Sequence, residues 1–138
     1  MPKKTNIKNS IRDFLFYESE GRCVYCGNEL TREEMTVDHI IPFSGCGPKT
    51  VENLVASCRQ CNGLKMSRTG RDFRAAMPPR QRAEYDRRVE RMLRLKIISP
   101  EKYELLQGRT ITEYRRIRLH IPLIVHDIRM EILIRKKE

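Results

Sequence analysis

Apolar residues recur along this chain in two rhythms, and the change of rhythm predicts its elements. Ile11, Phe14, Leu15 and Phe16 form one face of a helix. Ser10 is its expected cap, Asp13 sits where negative charge is favourable, and Gly21 is its expected end. Thr31-Arg-Glu-Glu34 has the pattern that caps a single helical turn. From Thr36 to Ile41, β-branched and apolar residues surround Asp38 and His39, which reads as a short strand stopped by Pro42. Ser44-Gly-Cys-Gly-Pro48 reads as a loop. Leu54 and Val55 follow, and a helix is expected to start at or after Cys61.

The second half is more helical. Tyr85, Val89, Met92, Leu93 and Ile97 recur at helical spacing, with Arg87, Arg88, Arg91 and Arg94 on other faces. Ser99-Pro100 opens another helix and Gly108 closes it. Ile111, Tyr114, Ile117 and Ile121 predict a further helix, broken or kinked by Pro122. The tail reads as helix through Ile124, Ile128 and Ile132, although Ile128, Met130, Ile132 and Ile134 also alternate like a strand. His120 and His126 flank an apolar run and are read as packing residues.

Composition narrows the class. The chain has 138 residues and 39% hydrophobic content, enough for one core with a helical appendage. No apolar run approaches a membrane span, and Met-Pro-Lys-Lys-Thr lacks a signal peptide's apolar stretch. A cytoplasmic location without membrane association is therefore the expectation. The formal charge is +10. Residues 1–67 hold nine basic and eight acidic side chains, and residues 68–138 hold nineteen and ten. The basic half suits a polyanion, nucleic acid foremost, or forms a solvated helix face.

Two short cysteine pairs point to a metal site. Cys23 and Cys26 form one, Cys58 and Cys61 the other. Two such turns can aim four thiolates at one tetrahedral zinc, and a reducing compartment favours metal ligation over disulfides. The interval between the pairs exceeds the roughly 15–20 residues of simple zinc modules. It holds Val37-Asp-His-Ile-Ile-Pro42 and Glu52-Asn-Leu-Val55, which a structural clip does not need. Cys46 is left over and reads as a small residue in a glycine loop.

Asp38 and His39 are adjacent, so on a strand their side chains point to opposite faces. One can reach a metal and the other a substrate water. Phosphodiester hydrolysis needs an activated water and stabilisation of negative charge. A neutral imidazole, with an unperturbed pKa of about 6.5, can take the proton. A hard divalent cation on oxygen ligands can stabilise the charge. Asp38 and Asn62 both offer oxygen, and Asn62 directly follows the last cysteine.

Cys-x-x-Cys, Asp-His-Ile-x-Pro, a glycine loop, Glu-Asn-Leu, Cys-x-x-Cys-Asn and Lys65 occur in the order seen in zinc-containing HNH endonucleases. From about Gly21 to Thr69 the chain resembles that family. The resemblance implies an α+β fold. It has a zinc-bound ββα-metal nuclease core with an N-terminal helix in residues 1–69, and a basic, mainly helical extension in 70–138. It implies a metal-dependent DNA endonuclease with a structural Zn²⁺ and a catalytic Mg²⁺ or Mn²⁺. His39 is then the general base, Asp38 and Asn62 the cation ligands, and Asn53 the residue that braces the hairpin loop. The DNA is taken as double-stranded, and the products as 5′-phosphate and 3′-hydroxyl ends.

The chain departs from the family pattern twice. Asn62 stands where His is frequent, which keeps an oxygen donor. Cys46-Gly47 stands for Gly-Gly, and a loop shifted by one would let Gly45 supply any positive φ.

Each assignment has a plainer rival: buried thiols for the cysteines, a core histidine for His39, and a helix cap for Asn62. Arg59 and Lys65 are either phosphate contacts or exposed charges. At the level of the whole chain the rival is a zinc-stabilised nucleic-acid-binding module without catalysis. A third reading is a protein–protein adaptor in which the apolar segment Ile121 to Ile134 docks on a partner or on its own copy as a homodimer, a role that can coexist with nuclease activity.

Overall fold

The expected strand at Thr36–Ile41 and the apolar Leu54-Val55 segment pair to form a hairpin, and the rest of the fold is arranged around it. The structure, a computed structural model, describes residues 7–42, 47–48 and 50–108. Within them the order is α1 (Asn9–Glu18), β1 (Thr36–His39), β2 (Leu54–Ser57), α2 (Arg59–Lys65), α3 (Gly70–Ala76), α4 (Pro79–Arg94) and α5 (Pro100–Gln107). The fold is α+β, with helices around a two-stranded antiparallel sheet. The expected helix at Ile111–Ile121, the tail, His120, His126, Gly45 and Cys46 lie outside the described residues.

Strand pairing sets which side chains share a face. Thr36 pairs with Ser57, Val37 with Ala56, Asp38 with Val55 and His39 with Leu54. Leu54 and Ala56 join Leu15 and Met35 in one apolar cluster. Val55 faces a larger cluster with Tyr25, Phe73, Tyr85, Val89 and Tyr103. All four β2 residues are therefore buried. The larger cluster runs across residue 69, so α3, α4 and α5 share packing with the cysteine turns.

Several boundaries differ from expectation. Helix α1 starts at Asn9 with Lys8 at the cap position and no side-chain cap, so Ser10 is not the cap. Ile7 and Ile11 both pack on the Leu15 cluster, and that contact begins ahead of Ser10. The helix ends at Glu18 rather than Gly21. Gly21, at φ +69°, instead returns its N–H to the Phe16 carbonyl at 2.9 Å.

Strand β1 ends at His39, short of Ile41, because the Asn53 side chain replaces the ladder there. Asn53 Oδ1 accepts from Ile41 N at 2.8 Å, and its Nδ2 donates to Ile41 O at 3.0 Å and Pro48 O at 2.8 Å. Gly47 closes the same loop. A Cβ there would lie 1.8 Å from Ile41 O, so any side chain would push the loop away.

Helix α2 starts at Arg59, ahead of the expected Cys61, because Cys58 Sγ accepts from Cys61 N at 3.3 Å and caps it. Thr31 and Glu34 make the expected reciprocal bonds, at 3.1 and 2.9 Å, around one turn. Helix α3 was not expected. Its signal was Thr69, whose hydroxyl accepts from Asp72 N at 3.1 Å. Ile97 lies beyond α4, after a reversal at Lys96 (φ +61°), and still packs on the core. Ser99 and Gly108 bound α5 as expected.

One buried ion pair ties α1 to α5. Lys102 Nζ donates to both Glu18 carboxylate oxygens, at 2.8 and 2.9 Å. Burial pushes the Glu18 pKa up and the Lys102 pKa down, with each partner opposing that shift. Lys102→Met strands a buried carboxylate and is expected to cost about 3–5 kcal/mol in urea denaturation. Adding Glu18→Leu to that variant is expected to recover most of the loss, since a matched apolar pair carries no desolvation penalty.

Candidate active site and metal centre

The first cysteine turn is a tight backbone structure. Cys23 N bonds Asn28 O at 3.0 Å, Gly27 N bonds Cys23 O at 2.8 Å, and Leu30 N bonds Gly21 O at 2.7 Å. Arg88 of α4 clamps it from outside, donating to Val24 O at 3.0 Å and Tyr25 O at 2.9 Å. The second pair sits at the start of α2, with Cys58 at the cap. The two turns bring the sulfurs of Cys23, Cys26, Cys58 and Cys61 within 4.8 Å of one another.

Cys26 Sγ and Cys58 Sγ are 3.8 Å apart. A tetrahedron with Zn–S bonds of about 2.3 Å has edges of about 3.8 Å, whereas a disulfide requires about 2.05 Å. All four are free thiols. The donor set fits a zinc ion. The Cys61 thiol hydrogen-bonds Cys23 and, against burial, draws the Cys23 pKa down to about 5. Burial pushes Cys26 up to about 11, and the bond to Cys23 pushes Cys61 up.

The hairpin places the oxygen donors. Thr36 and Asp38, two residues apart on β1, share the face that α2 crosses. Asn62 Nδ2 donates to Thr36 Oγ1 at 3.2 Å, and that hydroxyl donates to Ser57 O at 2.8 Å. The bond to Thr36 engages the Asn62 amide nitrogen and fixes the orientation of the side chain. Asp38 is 5% exposed. Its Oδ2 accepts from Tyr25 OH at 2.6 Å, and Lys65 Nζ lies 3.2 Å from the same oxygen. Burial raises the Asp38 pKa, with Lys65 and Tyr25 opposing. Burial also holds the Tyr25 phenol well above its usual range, so it remains a donor.

The structure thus brings Asp38, Asn62 and Lys65 to one face of the sheet. His39 is half-buried at the end of β1 with its side chain on the other face, as strand alternation requires. Asn53 is fully buried and holds the loop beyond β1. Arg59 is exposed on the first turn of α2. Lys65, expected as a phosphate contact or an exposed charge, is neither. It is 0% exposed, paired with Asp38, and donates to His39 O at 2.8 Å. It is the i+3 neighbour of Asn62 on α2, so the turn that aims Asn62 at Thr36 aims Lys65 at Asp38. Tyr25 was not anticipated, because only the packed turn brings its hydroxyl to Asp38.

Residues 23–77 match the family model of the HNH endonucleases. They form an HNH endonuclease domain. A 72-residue stretch is 42% identical to the CRISPR-associated endonuclease Cas9 of Corynebacterium diphtheriae, covering 47% of this chain and 7% of that protein. In the solved structures, the crystal structure of the Type II-C Cas9 enzyme from Actinomyces naeslundii is similar over 78% of this chain and 12% of that one. The TM-score is 0.56 and the identity 25%. The chain spans a small fraction of each relative. Within the HNH domain lie the four clustered cysteines, both strands, α2 and α3. Among the described residues no helix is long and apolar enough to cross a membrane.

Proposed function

We propose that this HNH domain is a metal-dependent nuclease that hydrolyses DNA phosphodiester bonds. The observation that carries the reading is the convergence of Asp38 and Asn62 on one face of β1, with His39 next in the chain at the strand end. Asp38 and Asn62 hold one Mg²⁺ or Mn²⁺, and that cation when bound supplies positive charge to the phosphate and the leaving oxygen. His39, the next residue and the last of the strand, takes the proton of the attacking water at the strand end. Asn53 keeps the loop after β1 in place, so that the His39 backbone does not drift. The four cysteines hold a structural zinc, which fixes the start of α2 and with it Asn62. The two relatives described above bear the name Cas9, one of them as an endonuclease, which supports the reaction class.

DNA binding draws on the basic surface. Exposed Arg59, Arg71, Arg80 and Arg87 add to a chain of net charge +10. Contacts of this kind position the phosphate backbone and weaken steeply with salt.

Purified protein is expected to nick or linearise plasmid DNA with Mg²⁺ or Mn²⁺ and to stop in EDTA. Cleavage of equal rate in EDTA would exclude the cation role of Asp38 and Asn62. Zinc-loaded protein that retains DNA and cleaves none of a broad substrate panel would favour the binding module instead.

A further inference from the structure

We infer that Tyr25 is a positioning residue for the Asp38 carboxylate, linking the cysteine cluster to the cation site by one hydrogen bond. The inference rests on the reading of Asp38 as a cation ligand and adds a residue to it. Tyr25 lies inside the first cysteine pair, between Cys23 and Cys26. Its hydroxyl meets Asp38 Oδ2 at 2.6 Å, the shorter of the two side-chain donors to that oxygen.

The position of that hydroxyl is fixed from several sides. The ring is 0% exposed. It packs edge-on against Phe73 with centroids 5.1 Å apart, and lies nearly parallel to Tyr85 at 6.0 Å. Arg88 holds its carbonyl at 2.9 Å, and the preceding Val24 N bonds Ala56 O of β2 at 3.0 Å. A phenol so constrained cannot follow a rotating carboxylate, so the carboxylate must conform to it.

The two donors to Asp38 differ in what they permit. Lys65 brings positive charge on a flexible stem, 3.2 Å from Oδ2 and 3.4 Å from Oδ1, and that charge repels an arriving cation. Tyr25 is neutral and uses one lone pair of Oδ2 alone, so Oδ1, which meets only the longer Lys65 contact at 3.4 Å, is the oxygen left for coordination. A ligand oriented from behind by a neutral donor is the arrangement by which outer partners tune a metal site. A merely structural hydroxyl would satisfy the buried carboxylate and have no effect on a cation.

The test is Tyr25→Phe in the full chain, compared with wild type and Asp38→Asn. Three readouts are needed: zinc per chain, melting temperature, and Mn²⁺ affinity by electron paramagnetic resonance without DNA. Phenylalanine keeps the ring against Phe73 and Tyr85. The expected result is unchanged zinc content with Mn²⁺ affinity roughly tenfold weaker or more. Cleavage should be lost at low Mn²⁺ and largely recovered at saturating Mn²⁺. Unchanged Mn²⁺ affinity in Tyr25→Phe, with loss in Asp38→Asn, would overturn the inference and leave the ligand reading standing. Unchanged affinity in both would overturn the ligand reading and the inference with it. Loss of zinc or of folding in Tyr25→Phe would assign the hydroxyl to structure alone and also overturn the inference.

Discussion

Replacing His39 with alanine is expected to slow DNA cleavage by about 10²–10⁴-fold, with zinc content and DNA affinity near wild type. The magnitude is that of removing one general base. The selectivity follows from how His39 is held. Its backbone belongs to β1 and pairs with Leu54, and its carbonyl accepts from Lys65 at 2.8 Å. Both contacts survive truncation of the side chain. Asp38, Asn62 and the cysteine cluster belong to the other face of the sheet and to the turns, so the proposed cation and zinc ligands stay in place. Single-turnover cleavage, filter binding and zinc analysis on one preparation separate these effects. Retained cleavage would place the base elsewhere. Loss of DNA affinity together with cleavage would make His39 a binding residue.

The second large effect concerns the metal centre. Cys58→Ser, or strong chelation of the wild type, is expected to lower folding stability by several kcal/mol before it touches the chemistry directly. Zinc binding to structural sites of this kind contributes about 10–16 kcal/mol in small peptides. Total domain stability is only about 5–15 kcal/mol. Serine is a good helix cap, so the Cys58→Ser variant keeps a capping oxygen for α2, and the loss reports on the metal rather than the cap. Asn62 and Lys65 both lie on α2, so the loosened helix should also weaken Mn²⁺ binding as a secondary effect. Calorimetry with and without chelator checks this. An unchanged melting temperature and zinc content in the variant would remove Cys58 from the ligand set.

Some of this architecture was legible before any coordinates. Two short cysteine pairs are a local pattern whose chemistry travels with the spacing, and the Asp38-His39 step fixes opposite faces on any strand. Ser99-Pro100 and Gly108 bounded α5 correctly, because capping and a left-handed residue act within a few positions. The boundaries that moved did so through distant partners. Asn53 ends β1 by substituting for its ladder, Ile7 and Ile11 draw α1 forward onto Leu15, and the Cys58 sulfur starts α2 early.

The same division holds at the site. Composition and spacing alone set the chemical types on offer: four paired thiols, the side-chain oxygens of Asp38 and Asn62, and the imidazole of His39. Local spacing and strand period are enough for that. Tertiary structure alone decided that Lys65 turns inward to Asp38 and that the Tyr25 hydroxyl reaches the same carboxylate from within a cysteine turn. It also decided that Glu18 and Lys102, far apart in sequence, are buried together. Each of these rests on desolvation. A charged or polar group inside the core must find a partner, and which partner is near depends on packing that no local pattern encodes.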